Sequence, residues 1–447
     1  MNKPLFVISS PFDTYSGYGA RSRDLIKAIL ALDKYDVKLL PQRWGDCAWG
    51  FCKDNPEWEF LNQYKLHSPQ LPRQPEMWAQ ITVPNEFTPI GKYNIGFTAG
   101  IETTICAPEW IEGVNKMNLT IVSSNHSKQV FENTKFERHN KQTNQSEGKV
   151  QLEKPIEVLF EGCNTDIYKI LENIPKNNLT TELDGIKEDF CFLYLGHWIS
   201  GDIGEDRKNT SLLVKAFFET FKNKTKKPSL ILKTSGAISS YNDREEILKK
   251  IQSIRETVTS KDIPNVYLLH GDVTDEEINQ IYNHPKIKTM VSLTKGEGFG
   301  RPLLEFSLMK KPIITTNWSG HIDFLSKDFC CLLSGELQNV HPSASNQFLL
   351  KEAQWFNPNY GEIGNYFKDV FENYKKYTEG AKRQAYRSKT EFSWEKMRDK
   401  LDSLLTQYIP EFPQAVQLKL PILKKINLPQ LKKIELPSLK KLELQIK

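Results

Sequence analysis

The sequence predicts an α/β protein built from two parallel-sheet domains, and three features carry that reading. Residues 288–316 run through a buried-strand pattern (Lys288-Thr289-Met290-Val291-Ser292-Leu293), a glycine loop, an apolar helical run ending at Met309, and a second apolar strand at 312–316. The N-terminus repeats that order: an apolar stretch at 5–10, the glycines Gly17 and Gly19, a helical pattern through Leu32, and a strand at 37–40. At 447 residues the chain is long enough for two such units, each with its own core.

Along the chain, residues 44–89 are rich in Trp, Pro and polar side chains, lack periodicity, and read as loops and short elements. Strands are predicted at 93–98 and 119–124, with a helix at 110–118 between them. A further helix starts at Ser127, with Ser124 or Asn125 as its cap. Residues 137–154 hold few apolar side chains and read as a mobile loop; 156–164 read as the last strand of the first domain and its turn. The Pro, Asn and charges of 166–187 suggest a linker. The second domain then opens with a strand at 190–196, a loop carrying Arg207 and Lys208, and a helix at 211–221. Strands at 230–234 and 266–271 flank a helix at 244–258, and a helix at 275–283 precedes the 288–316 unit. Residues 383–408 read as one long helical region. The expected divisions are thus 1–170, 185–390, a terminal helix at 391–409 and a tail at 410–447.

Composition narrows the class. A hydrophobic fraction of 39% and an aromatic fraction of 11% fit a globular protein, and no apolar run is long enough to span a bilayer. The N-terminal apolar stretch is too short for a secretion signal. The seven cysteines are odd in number and match no zinc spacing, so reduced thiols in the cytoplasm, with no metal site, are the expectation. From Pro410 onward the chain holds eight lysines and three glutamates, which accounts for the whole net charge of +5. The neutral remainder argues against a nucleic-acid groove covering the globular part. The tail repeats Leu-Pro-x-Leu-Lys-Lys every eight residues from Leu420, and its prolines forbid one continuous helix. It reads as a flexible appendage, as a self-association or partner-docking repeat, or as a basic segment drawn to an anionic surface.

The chemistry concentrates at Lys295-Gly296-Glu297-Gly298-Phe299-Gly300-Arg301-Pro302-Leu303-Leu304-Glu305, where two carboxylates lie eight residues apart around a Gly-Phe-Gly turn. Ligands of parallel sheets bind at the carboxyl ends of the strands, where this loop belongs. Its glycines admit a ligand close to the backbone, and the following helix start favours negative charge. Glu297 in the loop and Glu305 about two turns into the helix could face one polyhydroxylated ligand, since carboxylates accept from hydroxyls. The plainer readings are a common turn with Glu305 as a helix-surface residue, and a surface turn at Gly17 and Gly19.

That segment, followed by Lys311-Pro312-Ile313-Ile314-Thr315-Thr316 and Ser319-Gly320-His321, resembles the donor-site signature of family-4 retaining glycosyltransferases. The resemblance spans roughly residues 1–408 and is strongest at 290–325. It implies the GT-B fold: two Rossmann-like domains facing a central cleft, an acceptor-side domain first and a nucleotide-sugar domain second. The last helix would pack back on the first domain. It implies metal-independent transfer of a hexosyl or pentosyl group from a nucleotide-diphosphate sugar to an acceptor hydroxyl with retention of configuration, the sugar nucleotide being substrate and no cofactor being required. Glu297 would contact the donor sugar, Glu305 the ribose, and Arg207 and Lys208 the diphosphate. Gly17, Gly19, Gly298, Phe299 and Gly300 would complete the donor site. The sequence departs from the family where a His commonly follows the strand at 93–98: it has Ile101-Glu102-Thr103, which leaves Glu102 or His126 as acceptor-side candidates. The acceptor class stays open among glycan, lipid, protein and modified DNA base. An epimerase or inverting transferase of the same fold, or a catalytically silent carbohydrate- or partner-binding protein, stays open as well.

Overall fold

The computed structural model describes residues 3–412 except 67, 69, 72, 140–142, 144, 199–202 and 237–238. The period-eight tail lies outside the described residues.

The first half runs β1 (Leu5–Ser10), α1 (Gly17–Ala31), β2 (Asp36–Pro41), α2 (Phe51–Asp54), β3 (Met77–Ile81), β4 (Tyr93–Thr98), α3 (Pro108–Asn115), β5 (Leu119–Val122), α4 (Asn125–Asn133), β6 (Phe136–His139), β7 (Ser146–Val150) and β8 (Ile156–Val158). Six of these strands form one parallel sheet in the order β2-β1-β3-β4-β5-β8. The second half runs α5 (Asn178–Asp184), β9 (Cys191–Leu195), α6 (Thr210–Phe221), β10 (Ser229–Lys233), α7 (Tyr241–Glu256), β11 (Val266–Leu269), α8 (Asp275–Asn283), β12 (Ile287–Ser292), α9 (Arg301–Ser307), β13 (Ile313–Thr316), β14 (Cys331–Leu333), β15 (Gly335–Asn339), β16 (Gln354–Pro358), α10 (Tyr360–Glu372), α11 (Tyr374–Glu391) and α12 (Trp394–Tyr408). Its parallel sheet has the order β11-β10-β9-β12-β13-β14, the doubly wound pattern in which the chain starts mid-sheet and reverses. The reversal lies between β9 and β12, so the loops leaving those two strands open a crevice between them.

Both sheets are covered on both faces, which is why their strands read as continuous apolar runs. In β9 the alternation of side chains divides two cores. Phe192 and Tyr194 join Phe217, Phe221 and Phe367 on one face, while Cys191 and Leu193 join Ile231, Met290 and Leu304 on the other. Tyr168, Leu183 and Ile186, from the stretch read as a linker, are buried in that second core.

Three expectations needed correction. The stretch 44–89 contains β3, a central strand pairing with both β1 and β4. Its sequence, Met-Trp-Ala-Gln-Ile, has little β-branched content and an internal Gln, but Gln80 is buried and satisfied by the Glu86 carbonyl and the Thr88 amide. Residues 137–154, read as a loop, supply the antiparallel pair β6–β7. The helical region at 383–408 is two helices. Between them the chain pairs with Cys163, whose N–H donates to Phe392 O (2.9 Å) and whose carbonyl accepts from Trp394 N–H (2.8 Å). Ser393 then caps α12 by accepting from Lys396 N–H. A tertiary backbone bridge outweighs the helical periodicity of the sequence.

α12 packs against α1, with the Trp394 indole N–H 3.3 Å from the Asp24 carbonyl. Ser393→Ala should therefore loosen this connection by about 1 kcal/mol, read as a lower urea midpoint for unfolding.

Candidate functional site

The loop after β9 and the loop after β12 meet at the sheet reversal, and each is shaped by its own backbone contacts. In the first, Asp206 Oδ1 accepts from Asn209 N–H (2.7 Å), and Asn209 takes the left-handed conformation (φ 57°) that starts α6. In the second, Glu297 N–H donates to Ser319 Oγ (2.9 Å), and the Glu297 carbonyl accepts from Gly320 N–H (2.9 Å). Lys295 staples the two together. Its amide donates to the Arg207 carbonyl (2.8 Å), and its ammonium reaches the Gly204 carbonyl beneath the Trp355 ring. Burial pushes the Lys295 ammonium down to about 8 against the pull of Asp206 and Glu205.

This scaffold brings the paired cations onto the loop carboxylate. Lys208 Nζ lies 2.6 Å from Glu297 Oε1, and Arg207 Nη1 lies 3.4 Å from Glu297 Oε2 and 2.8 Å from the Gly296 carbonyl. Across the cleft Arg207 Nη2 meets Glu102 Oε1 at 3.3 Å, so Glu102 joins the same cluster. Burial alone would raise the Glu297 carboxyl, but the Lys208 ammonium and Arg207 guanidinium outweigh it and hold it down at about 2. Arg207 is raised in turn: burial opposes its charge, but Glu102 and Glu297 prevail.

Glu305 does not join that cluster. It stands in the second turn of α9, 5% exposed, with Arg301 Nε at 2.8 Å and Tyr282 Oη at 3.4 Å. Arg301 continues across the cleft to Asp24 on α1 at 2.6 Å. Burial pushes the Glu305 carboxyl up to about 7, with Arg301 pulling against it. The reading that both acids face one ligand thus meets two separate ion networks, because Arg301, one turn before Glu305, captures its carboxylate. Arg301 and Asp24 had been given no role. Arg301 directly follows Gly300 in the sequence quoted above; Asp24 carries no local signal, since its partner lies 277 residues away.

The glycines serve different ends. A Cβ on Gly298 would come within 2.9 Å of the Ala99 carbonyl, and one on Gly296 within 2.2 Å of the Glu102 carbonyl, so this loop lies directly against the first half. Gly300 has φ 95°, a left-handed conformation costly for any side chain, and it starts α9. Gly19 packs against its own loop, 2.4 Å from the Thr14 carbonyl to a built Cβ, whereas the same position on Gly17 is open. Phe299 is buried with its ring 5.0 Å from Phe324, so its side chain packs the second-half core.

His126, near the start of α4, sits edge-on to Trp318 of the second half at 4.6 Å. Its Nε2 is buried without a hydrogen-bond partner among the described residues, as is Nδ1 of His321. Burial and the neighbouring His321 push His126 down to about 4, so its ring is neutral near pH 7. His321 Nε2–H donates to the Thr316 carbonyl (2.6 Å), which leaves Nδ1 as an acceptor.

No family model matches the sequence, and no curated protein matches it at significant similarity. Solved structures do match. HepE of Anabaena, in complex with UDP-glucose, is 13% identical, with a TM-score of 0.54 over 90% of this chain and 100% of its own. A glycosyltransferase from Rickettsia africae is 12% identical, with a TM-score of 0.60 over 91% and 99%. Sucrose-phosphate synthase from Thermosynechococcus elongatus is 12% identical, with a TM-score of 0.56 over 91% and 99%. The fold is GT-B. The cluster of Arg207, Lys208, Glu102 and Glu297 lies where that fold opens its crevice, at the carboxyl ends of the strands that flank the reversal.

The pairing of Glu297 has a defined pH signature. Its folded value of about 2 lies below the ordinary 4.5, so its stabilisation is complete above pH 4.5 and is lost as pH falls toward 2. The full contribution is about 3 kcal/mol. Glu297→Gln should be less stable than the parent at pH 7, and the two should converge on acidification, as measured by urea midpoints from about pH 7 to about pH 2.5.

Proposed function

We propose that this protein is a retaining glycosyltransferase that moves a sugar from a nucleotide-diphosphate sugar to an acceptor hydroxyl. The observation that carries this reading is the Arg207–Lys208–Glu297 cluster at the sheet reversal. In this reading the second-half domain (185–390) holds the nucleotide sugar. The first-half domain (1–170) presents the acceptor, and the terminal helix (391–409) ties the two together.

The chemistry requires that the bond between the anomeric carbon and the diphosphate oxygen break, while an acceptor oxygen bonds to that carbon on the same face. The departing diphosphate gains negative charge and takes up the acceptor proton. Arg207 and Lys208 supply positive charge for it from a backbone already set by the Lys295 staple, so only their side chains turn as that charge develops. Cationic side chains do the work that a metal ion does in other transferases. As the diphosphate draws the cations toward itself, Glu297 is released from part of its pairing and is free to accept from sugar hydroxyls and to face positive charge near the anomeric carbon. Glu305 accepts from the ribose hydroxyls once the donor displaces Arg301 from its Oε1 and leaves that guanidinium on Asp24, and Gly298 and Gly300 keep the backbone close to the donor. Glu102 and His126 face the acceptor; the neutral His126 ring suits hydrogen bonding to a hydroxyl rather than binding of a fixed charge. The UDP-glucose bound by the Anabaena neighbour supports a uridine diphosphate sugar as the first donor to test.

Two measurements test this. UDP-glucose or another nucleotide sugar should raise the unfolding temperature, and slow hydrolysis of that donor should be detectable by release of the nucleoside diphosphate. Complete inertness toward a panel of nucleotide sugars would sink the reading in favour of a silent binding protein. Lys208→Met and Arg207→Met should each cut hydrolysis or transfer by about 100- to 1000-fold, mostly in kcat, because the charge they oppose develops in the transition state. Nuclear magnetic resonance of the product anomer then separates retention from inversion.

A further inference from the structure

We propose that an aromatic track on the first half is the binding site for a neutral glycan acceptor, an inference that rests on the glycosyltransferase reading above. The track starts in the glycine loop after β1 and continues through residues 44–60, a stretch that the proposed donor chemistry leaves without a role. Tyr15 meets Phe51 edge-to-face at 5.0 Å, the Arg23 guanidinium lies 3.3 Å from the centre of the Phe51 ring and 5.8 Å from that of Trp58, and Trp58 stacks with Phe60 at 6.2 Å. Trp49 joins it through a backbone bridge to Thr14, beside Tyr15. The outward rings are substantially solvent-exposed: Tyr15 37%, Trp49 46% and Phe60 39%.

These rings are held from beneath, unlike scattered surface hydrophobes. Arg23 is 5% exposed and donates to the Phe12 and Thr14 carbonyls, so it is planted in the core under the track. The Tyr15 amide donates to the Ala48 carbonyl (3.1 Å), and its hydroxyl donates to Asp54 (2.8 Å). The Cys52 amide donates to Asp13, which also pairs with Lys65. Preorganised rings lose little entropy when a ligand stacks on them.

A second aromatic pair lies toward the reacting centre. Trp44 stacks on Tyr18 at 4.0 Å, the Tyr18 hydroxyl accepts from the Ala99 amide (3.0 Å), and Ala99 is the residue against which Gly298 lies. Tyr18 follows Tyr15 by three residues and Trp44 precedes Trp49 by five, so a ligand continuing from the outer rings past this pair would reach the loop that carries Glu297.

Charge selects the ligand class. The exposed ionised side chains of 43–60 are Arg43 and Lys53 against Asp46, Asp54, Glu57 and Glu59, a net of −2 that Arg23 and Lys27, whose cations lie over Trp58, bring to zero. That balance offers a nucleic acid or an anionic lipid no net positive charge, which their binding calls for. It suits a neutral glycan: the C–H faces of sugar rings pack on the electron-rich aromatic faces, and the flanking carboxylates accept from their hydroxyls.

The test titrates the full-length protein with maltopentaose, cellopentaose, a β-1,3-glucan pentasaccharide and a mannan pentasaccharide, followed by tryptophan fluorescence and saturation-transfer resonance. At least one should bind saturably. Trp49→Ala and Phe60→Ala should each weaken it by about tenfold, while Trp49→Tyr, which keeps a ring, should stay within about twofold of the parent. The proposal is overturned if none of the four binds, if Trp49→Ala leaves the affinity unchanged, or if an oligothymidylate or phosphatidylserine vesicles bind through the same residues. Donor binding and hydrolysis on the parent protein are read separately. Their absence removes the transferase reading, whereas their presence without a glycan effect at Trp49 removes only the acceptor assignment.

Discussion

The meeting of Glu297 with Lys208 and Arg207 is the constraint around which the rest of the site is arranged. Taking three ions largely out of water costs several kcal/mol for each, and Coulomb attraction offsets that only when the geometry is good and the remaining donors are satisfied. Here Arg207 divides its donors among Glu297, the Gly296 carbonyl and Glu102, while Lys208 lies 2.6 Å from Glu297. Removing any one partner would leave an unpaired charge among buried neighbours, which is more damaging than never having had the cluster. The position of the loop after β9 is therefore tied to that of the loop after β12, although nearly ninety residues separate them in sequence.

The backbone makes this arrangement possible. The loop carrying Glu297 lies so close to Ala99 and Glu102 that no side chain fits at Gly296 or Gly298. Gly300 reverses the chain into α9 with a positive φ. The glycines thus set the distance between the two halves, and the charges use that distance. A second pair of opposite charges, Arg301 and Asp24, crosses the same cleft and joins α9 to α1. Apolar side chains couple the halves as well: Phe348 and Leu350 pack in the first-half core beside Trp110, and Ile105 packs on Val340, Ala353 and Trp355.

What the sequence showed depended on how local the cause was. The strands of the second-half reversal, β9 and β12, and a cap at Ser124 or Asn125 were legible because short apolar runs and capping residues report their own surroundings, whereas the grouping of Arg207, Lys208 and Glu297 came from the resemblance to family-4 transferases. β3 was not legible: Gln80 interrupts its apolar run, and only the Glu86 and Thr88 backbone makes that Gln acceptable in a buried strand. The break at Phe392–Ser393 was hidden because it is imposed by Cys163, from the other end of the chain. Glu305 was recognised as a candidate while its partner Arg301, four residues away, was passed over. Reading an acid as a ligand for sugar hydroxyls gave no reason to look for the cation that would claim it first.

The same distinction explains how a chain only 12–13% identical to its structural neighbours can keep their fold. Parallel sheets tolerate any apolar residue of suitable shape, so Phe192, Leu193 and Tyr194 need only alternate correctly between two cores. The crevice follows from strand order alone, since reversal between β9 and β12 parts their outgoing loops whatever those loops contain. Chemistry is less tolerant. A carboxylate must lie within hydrogen-bonding reach of its cations, and the backbone beneath it must come within contact of the opposite half. Few residues are under that double demand, and here they are concentrated in two short loops. For this reason a few residues in the sequence say more about function than the hundreds that build the sheets.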